Sequence, residues 1–150
     1  MLQLRAAEAA DVPSIHQLIG ELADYERLRH RVVGSAEDLR RHLFGEPRYA
    51  AAMLALWDGE VAGYCLYFHN YSTFQCRPGV YLEDLFVRPA YRGRGIGREL
   101  LGALERRARE LGCGRLEWAV LDWNQNAIDF YRRFGAAPNA GWTVFRKELL

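Results

Sequence analysis

A stretch of glycines and arginines at residues 92–98 has the composition of a phosphate-binding turn. It consists of Arg92, Gly93, Arg94, Gly95, Ile96, Gly97 and Arg98. Glycine has no Cβ, so the backbone can approach a ligand closely and direct several N–H groups toward it. An amphipathic helix follows, and a helix N-terminus carries a partial positive charge that favours an anion. The stretch therefore predicts a site for a diphosphate.

Two other phosphate-binding loops do not fit this stretch. The P-loop requires Gly-Lys-Ser or Gly-Lys-Thr, and no such run occurs in the sequence. The dinucleotide fingerprint, counted from Gly93 and Gly95, requires a third glycine where Arg98 stands. The structural alternative is a glycine-rich connection with solvated arginines. The arginines and the strand–turn–helix context favour phosphate binding over that alternative.

Two neighbouring carboxylates, Glu83 and Asp84, interrupt an apolar strand at residues 80–87. Burying a carboxylate costs several kcal/mol unless it is paired or protonated. Strand side chains alternate between faces, so we expect the two to point to opposite sides of the sheet. A carboxylate in a substrate cleft can accept the proton of an alkylammonium, whose pKa is about 10.4. A salt bridge to a helix arginine is the alternative for Glu83, and a structural role is the favoured interpretation for Asp84.

Hydrophobic periodicity predicts the elements that must position these residues. A first helix is expected after Asp11, which can cap it, and Ser35 with Asp38 resembles a capping box that opens a second, short helix. Two further helices are predicted at residues 96–111 and 124–134. The predicted strands are 2–5, 49–57, 61–71, 79–87, 115–121 and 142–149, and Asp58-Gly59 is a hairpin turn signal between the second and the third.

These elements predict an α/β fold with the chain order β-α-α-β-β-β-α-β-α-β. The hairpins give antiparallel pairing and the later β-α-β crossover gives parallel pairing. We therefore expect a mixed sheet with helices on both faces. A chain of 150 residues fits one compact domain, and a single domain is predicted over residues 1–150.

Composition and charge argue against several classes of protein. The formal net charge is +1, so nothing global indicates binding to nucleic acid or to an anionic membrane. The longest stretch without charged residues, 61–76, is shorter than the ~20 residues of a membrane span. The 3 cysteines and 4 histidines are scattered, so no metal site is expected. No two cysteines have the spacing of a redox or metal-binding motif, and the sequence shows no signal-peptide pattern. Both observations predict a cytoplasmic protein.

Several segments resemble a known family. The pattern Arg92-x-x-Gly95-x-Gly97 is similar to the acetyl-CoA signature of the GNAT acetyltransferase superfamily. Residues 81–87, 123–131 and 21–26 resemble its diamine (spermidine/spermine) and thialysine N-acetyltransferase branch. The similarity covers nearly the whole chain, and it implies the GNAT acyl-CoA N-acyltransferase fold.

The resemblance implies which residues would bind acetyl-CoA, the expected co-substrate, without any metal. Backbone groups of Leu85, Phe86 and Val87 would hold the pantetheine arm and the acetyl carbonyl. The diphosphate would lie on the turn at residues 92–98. The remaining contacts implied for the cofactor are those of Asn124, Ala127 and Tyr131.

The resemblance also implies catalytic and substrate-binding roles. Glu83 would act as the general base, and Tyr131 would protonate the departing CoA thiolate. The residues that would bind the amine are Tyr25, Glu26, Glu83 and Trp118. For Tyr25 and Glu26 the alternative is a solvated helix end, since arginines follow them at once. One departure concerns Ala140, which stands where the diamine enzymes carry an acidic residue before a Gly-Trp pair. This departure favours a shorter diamine, or an amino-acid-like amine such as thialysine, over spermidine and spermine.

The expected function is acetyl transfer from acetyl-CoA to the primary amine of a small molecule, by direct attack in a ternary complex. A protein or peptide amine is one alternative acceptor. A non-catalytic acyl-CoA-binding module is the other alternative. The resemblance further implies a homodimer, for which aromatic residues at 64–74 could supply contacts, and no nucleic-acid or membrane partner is expected.

Overall fold

A computed structural model describes all 150 residues, which form two compact units, Met1–Ala119 and Val120–Leu150. The first unit contains β1 (Leu2–Ala6), α1 (Val12–Tyr25), α2 (Ala36–Phe44), β2 (Ala51–Trp57), β3 (Glu60–Ser72), β4 (Arg77–Val87), α3 (Ile96–Glu110) and β5 (Leu116–Trp118). The second unit contains α4 (Gln125–Arg133). The expectation of a single domain remains a prediction. None of the helices combines the length and the apolar character that crossing a membrane requires.

The first unit is built on one sheet of 5 strands in the order β1-β2-β3-β4-β5. The first three pairings are antiparallel, whereas β4 and β5 are parallel, so the predicted mixed sheet is confirmed. The predicted hairpin turn joins β2 to β3. Asp58 has a φ of 49° and Gly59 a φ of 86°, and a type I′ turn requires positive φ at both central residues.

Helices cover both faces of this sheet. Ile15 and Leu18 of α1 and Leu43 of α2 pack on Ala52 and its inward-facing neighbours in a hydrophobic core. Ala51, the next residue along β2, instead lines a cavity with Arg107 of α3. Because neighbouring residues of a strand point to opposite faces, α3 lies on the other side of the sheet. The expected arrangement of helices is confirmed.

Local signals located most of the elements, with corrections at their ends. The strand predicted at residues 115–121 is shorter than expected and spans only Leu116–Trp118. The capping box of α2 is confirmed, since Ser35 Oγ accepts from the Asp38 N–H at 3.1 Å and the Ser35 N–H is bound by the Asp38 carboxylate. Asp11 occupies the N-cap position of α1, but its carboxylate binds the Arg5 guanidinium at 2.7 Å instead of capping the helix. Leu111, expected on the buried face of α3, is 42% exposed.

The predicted last strand at residues 142–149 does not form. Trp142 is 73% exposed and Phe145 is 92% exposed, and the sheet contains no strand beyond β5. A strand needs a neighbouring backbone that completes its hydrogen bonds. Sequence alternation cannot supply that neighbour, so the observed order is β-α-α-β-β-β-α-β-α.

Candidate functional site

The glycine-rich turn joins β4 to α3 and offers backbone N–H groups to a ligand. Gly93 and Gly95 both have a φ of 78°, a left-handed conformation that other residues rarely adopt. A Cβ at either position would meet no atom within 4 Å, so the space beside the turn is open. Gly95 is the N-cap of α3 and no side chain caps the helix. The N–H groups of the first turn of a helix have no intrahelical acceptor, so they are available to an anion.

The arginines of the turn are held by aromatic rings. The guanidinium of Arg92 lies 4.9 Å from the centroid of the Tyr25 ring, and that of Arg94 lies 4.8 Å from the Trp57 ring. Arg98 is exposed and forms no ion pair. Stacking on a ring leaves the in-plane N–H groups of a guanidinium accessible to an oxyanion. In Arg92 the Nε group donates to the Val87 carbonyl at 2.9 Å, so its terminal amino groups are the ones that remain. The turn therefore combines backbone donors with positive side chains.

Arg88, at the end of β4, differs from the arginines of the turn. Its Nε and NH2 groups donate to the two carboxylate oxygens of Glu21 at 3.1 and 3.0 Å, and its NH1 group donates to the Val61 carbonyl at 2.9 Å. These bonds tie β4 to α1 and to β3. Arg88 is thus a structural residue that fixes the strand immediately before the turn.

One edge of β4 is open beside the turn. The pairing of β5 with β4 ends at Leu82, whereas β3 pairs with β4 as far as Val87. The Arg88 N–H donates to Ala62 of β3, and alternate residues of a strand direct their backbone groups to opposite edges. Leu85 and Val87 therefore present backbone groups on the edge without a strand partner, although the Val87 carbonyl accepts a hydrogen bond from Arg92 Nε at 2.9 Å. An extended chain with amide groups, such as a pantetheine arm, can bind there as a strand would.

Glu83 lies in a β-bulge on β4. Leu66 pairs with Asp84 and the next residue, Tyr67, pairs with Leu82, so Glu83 has no partner across the strand pair. A bulge redirects side chains, so the strict alternation expected for Glu83 and Asp84 does not apply. Glu83 is exposed and forms no ion pair, and the salt bridge considered as an alternative is therefore wrong.

The end of α1 brings a third carboxylate to these two, and we call Glu26, Glu83 and Asp84 the carboxylate cluster. Burial raises the pKa of Glu26, and repulsion from Asp84 and Glu83 raises it further. Burial also raises the pKa of Asp84, against the hydrogen bond that Tyr64 donates to its Oδ2 at 2.7 Å. Mutual repulsion makes the cluster a favourable site for a cation.

The remaining predicted amine-binding residues of the first unit lie beside the carboxylate cluster. Tyr25 directly precedes Glu26 at the end of α1 and carries the Arg92 guanidinium on its ring. Trp118 of β5 pairs with Leu82, the residue before Glu83. Predicted substrate-binding and cofactor-binding residues therefore meet at Tyr25.

The second unit carries the predicted residues of α4. The Asn124 side chain accepts a hydrogen bond from the Ala127 N–H at 3.3 Å, so Asn124 caps the helix as the sequence predicts. The Tyr131 ring lies 5.5 Å from that of Phe130, centroid to centroid. The cofactor and catalytic roles predicted for these residues remain predictions.

Tyr64 is the site residue that sequence reasoning missed. It is fully buried among apolar residues of β3, and burial raises the pKa of its phenol well above the usual value. A buried tyrosine hydroxyl usually finds a hydrogen-bond partner. A tyrosine within the apolar run at residues 61–67 was the available signal, but its partner Asp84 is 20 positions away.

Comparison with known proteins adds independent support. The sequence matches the acetyltransferase (GNAT) family over residues 15–136. It is 40% identical to the bovine thialysine N-epsilon-acetyltransferase, over 98% of this chain and 92% of that protein. It is 33% identical to the L-ornithine N5-acetyltransferase NATA1 of Arabidopsis thaliana, over 96% of this chain and 83% of that protein.

Solved structures share the fold. An integron cassette protein from the mobile metagenome of V. cholerae has a TM-score of 0.82 and 25% identity, covering 98% of this chain and 92% of its own. An aminoglycoside acetyltransferase from an uncultured soil sample has a TM-score of 0.82 at 20% identity, covering 99% of this chain and 97% of its own. At 20% identity the likeness concerns the fold alone.

Proposed function

This chain belongs to the acetyltransferase (GNAT) family and is an acetyl-CoA-dependent N-acetyltransferase, and from that premise we propose that it acetylates the terminal primary amine of a small amino acid or short diamine. The carboxylate cluster beside the open edge of β4 is the observation that carries this proposal. An ammonium group would relieve the repulsion among Glu26, Glu83 and Asp84.

Acetyl-CoA supplies the thioester, and the donor groups of the first unit suit it. The N–H groups that open α3, together with Arg92, Arg94 and Arg98, match a diphosphate. The open edge of β4 at residues 85–87 matches the amides of a pantetheine arm. The Leu85 backbone would then polarise the acetyl carbonyl.

In the proposed reaction Glu83 accepts a proton from the bound ammonium, directly or through water. The freed nitrogen lone pair attacks the carbonyl carbon of the thioester, so a C–N bond forms as the C–S bond breaks. Tyr131 donates its phenolic proton to the departing sulfur. After the attack the positively charged nitrogen loses a second proton, which replaces the one that Tyr131 gives to the sulfur. The ammonium nitrogen thus loses two protons, Glu83 passes its proton to solvent, and no covalent enzyme intermediate forms.

Two observations support the class of amine acceptor that we propose. One is a missing carboxylate at Ala140, and the other is the acceptor given in the names of the relatives. Ala140 offers no carboxylate to the distal ammonium of a longer polyamine. The names of two relatives describe transfer to the side-chain amine of an amino acid, thialysine or ornithine. We therefore propose an amino acid with a terminal amine as the preferred acceptor.

Release of free CoA thiol over a panel of amines tests this proposal. The panel comprises thialysine, ornithine, lysine, putrescine, spermidine and a lysine-containing peptide. We expect kcat/KM for thialysine or ornithine to exceed that for spermidine by about tenfold, the effect of leaving one charged group without its partner. Acetylation of the peptide without acetylation of any free amine would overturn the proposal in favour of a protein substrate.

A further inference from the structure

The cavity lined by Ala51 and Arg107 lies on the face of the sheet that α3 covers. Its volume is about 330 Å³, and its walls come from the start of β2, the middle of β3 and the C-terminal end of α3. This volume is at the lower end of the range for small-molecule sites. All of its lining residues belong to the first unit.

The cavity is basic. Arg48 and Arg107 line it, and no aspartate or glutamate does. Arg48 lies in the segment between α2 and β2, whereas Arg107 belongs to α3, and both guanidinium groups act to lower the pKa of the Tyr67 phenol, although burial raises that pKa overall. Each arginine therefore lies near the Tyr67 ring, which contributes a polar group to the cavity.

Neither arginine has a strong internal partner. Arg107 lies 3.9 Å from a carboxylate oxygen of Glu110, and the two side chains are 54% and 68% exposed. An exposed pair at that distance contributes little. The Nε group of Arg48 donates to the Ala50 carbonyl at 3.2 Å, and the guanidinium lies 5.9 Å from the centroid of the Phe44 ring. Its terminal amino groups remain available as donors. Both guanidinium groups can therefore bind an oxyanion in the cavity.

The other walls are aromatic or apolar. Phe68, Tyr49 and Leu111 line the cavity, and Tyr49 is 65% exposed. His69 also lines it and binds the Gly79 carbonyl through Nδ1 at 3.1 Å. An exposed leucine next to aromatic rings and guanidinium groups suits a ligand with an apolar body and a charged end.

The cavity is separate from the glycine-rich turn. Arg107 lies 11 residues after Ile96, the first residue of α3, and a helix rises 1.5 Å per residue, which puts about 17 Å between them. The far end of α3 also lies near the start of β4, where the Gly114 N–H donates to the Pro78 carbonyl at 3.0 Å. An anion in the cavity would therefore not occupy the diphosphate site.

We propose that this cavity binds a small organic oxyanion, a carboxylate or a phosphate on a planar or short apolar body, as a second ligand site. Arg48 and Arg107 bind the oxyanion, and Phe68 and Leu111 contact the apolar body. A carboxylate and a phosphate would bind the two guanidinium groups in the same way, so one probe of each type is needed to distinguish them.

A titration monitored by two-dimensional ¹H–¹⁵N NMR tests the site, with benzoate and phenyl phosphate as the probes and benzyl alcohol as the neutral control. CoA is added first so that the glycine-rich turn is filled, and the amides of Gly93 and Gly95 report that binding independently. We expect saturable shifts at Ala51 and Leu111 with at least one anionic probe, and the tighter probe identifies the preferred anion.

Substitutions of single arginines test whether Arg48 and Arg107 bind the anionic probe. Arg107→Gln and Arg48→Gln should each weaken the binding of the anionic probe by about tenfold, as expected for a lost charge-assisted hydrogen bond. Arg109→Gln is the control, because Arg109 pairs with Glu105 at 3.1 Å and does not line the cavity. Absence of saturable shifts at Ala51 and Leu111, or equal shifts with benzyl alcohol, would overturn the proposal.

Discussion

Two charged regions of the first unit, the glycine-rich turn and the carboxylate cluster, are organised in opposite ways. The turn uses main-chain N–H groups and exposed arginines, which stack on aromatic rings such as Tyr25 and Trp57. The cluster uses side-chain carboxylates on a helix end and a bulged strand, and burial raises the pKa of Glu26 and Asp84. The charges of the turn are exposed to water, whereas Glu26 and Asp84 of the cluster are partly desolvated.

This difference matches the tasks proposed for the two regions. Holding a diphosphate requires many donors, and hydrated arginines supply them at little cost in stability. Taking a proton from an ammonium requires a carboxylate that the substrate can reach, and Glu83 is exposed. The partly buried carboxylates Glu26 and Asp84 strengthen the attraction for the cation. A bound cation therefore relieves the cost of burying charge in the carboxylate cluster, whereas a bound anion at the turn relieves only repulsion among exposed positive charges.

The largest expected effect comes from the carboxylate cluster. Glu83→Gln removes the proposed base, so kcat should fall by about 10²- to 10⁴-fold, the usual contribution of a positioned acid or base. The KM for acetyl-CoA should change little, because Glu83 does not lie in the turn. Steady-state kinetics with the preferred amine measures both constants.

The matched control for this variant is Glu60→Gln, at the exposed first residue of β3. It removes the same charge from the protein at a position outside the carboxylate cluster. If both variants keep the wild-type kcat, Glu83 is not the base. The difference between the two regions would then not reflect a role of the carboxylate cluster in proton transfer.

The second largest effect is expected for a substitution in the glycine-rich turn. Gly95→Ala introduces a Cβ at a φ of 78°, which costs about 1–2 kcal/mol, and places that atom in the space proposed for the diphosphate. The KM for acetyl-CoA should rise by about tenfold, while kcat at saturation stays close to that of the wild type.

Gly59→Ala separates backbone strain from ligand binding. Gly59 has a φ of 86°, and a Cβ there would also meet no atom within 4 Å, but it lies in the β2–β3 turn. Both variants should lower Tm by similar amounts, and only Gly95→Ala should raise the KM for acetyl-CoA. Equal KM values in the two variants would exclude the turn as the diphosphate site.

The sequence predicted those features whose cause is local. The positive φ values of Asp58 and Gly59 follow from their dipeptide, and the capping box of Ser35 and Asp38 follows from a spacing of three residues. The glycine-rich turn belongs to the same class, because its conformation is set by glycines that adjoin a helix start. These signals need no knowledge of the rest of the chain.

Features that depend on distant partners could not be predicted. The bulge at Glu83 depends on the register of β4 against β3, and the Arg88–Glu21 pair joins positions 67 apart. The hydrogen bond from Tyr64 to Asp84 likewise crosses two strands. The last predicted strand failed for the same reason, since alternation at residues 142–149 specifies a strand but not a partner.

The smallest expected effect concerns stability and returns to the carboxylate cluster. The folded-state pKa of Asp84 lies above its ordinary value of 3.8, chiefly because the carboxyl is buried. The folded protein therefore holds this proton more tightly than the unfolded chain does. The resulting stabilisation is fully present below the ordinary pKa, and it is lost as the pH rises through the folded-state pKa.

Asp84→Asn does not titrate and can still accept the Tyr64 hydrogen bond, so its stability relative to wild type should increase as the pH rises from about 4 to about 7. A gain of about 1 kcal/mol at neutral pH would raise Tm by about 2–4 °C in a protein of this size. Thermal unfolding followed by circular dichroism across this pH range measures the effect, with Asp122→Asn as the control at an exposed aspartate. A Tm difference between Asp84→Asn and wild type that shrinks toward neutral pH would mean that the buried carboxylate is compensated within the protein. The carboxylate cluster would then carry no more strain than the turn, and its affinity for a cation would need another origin.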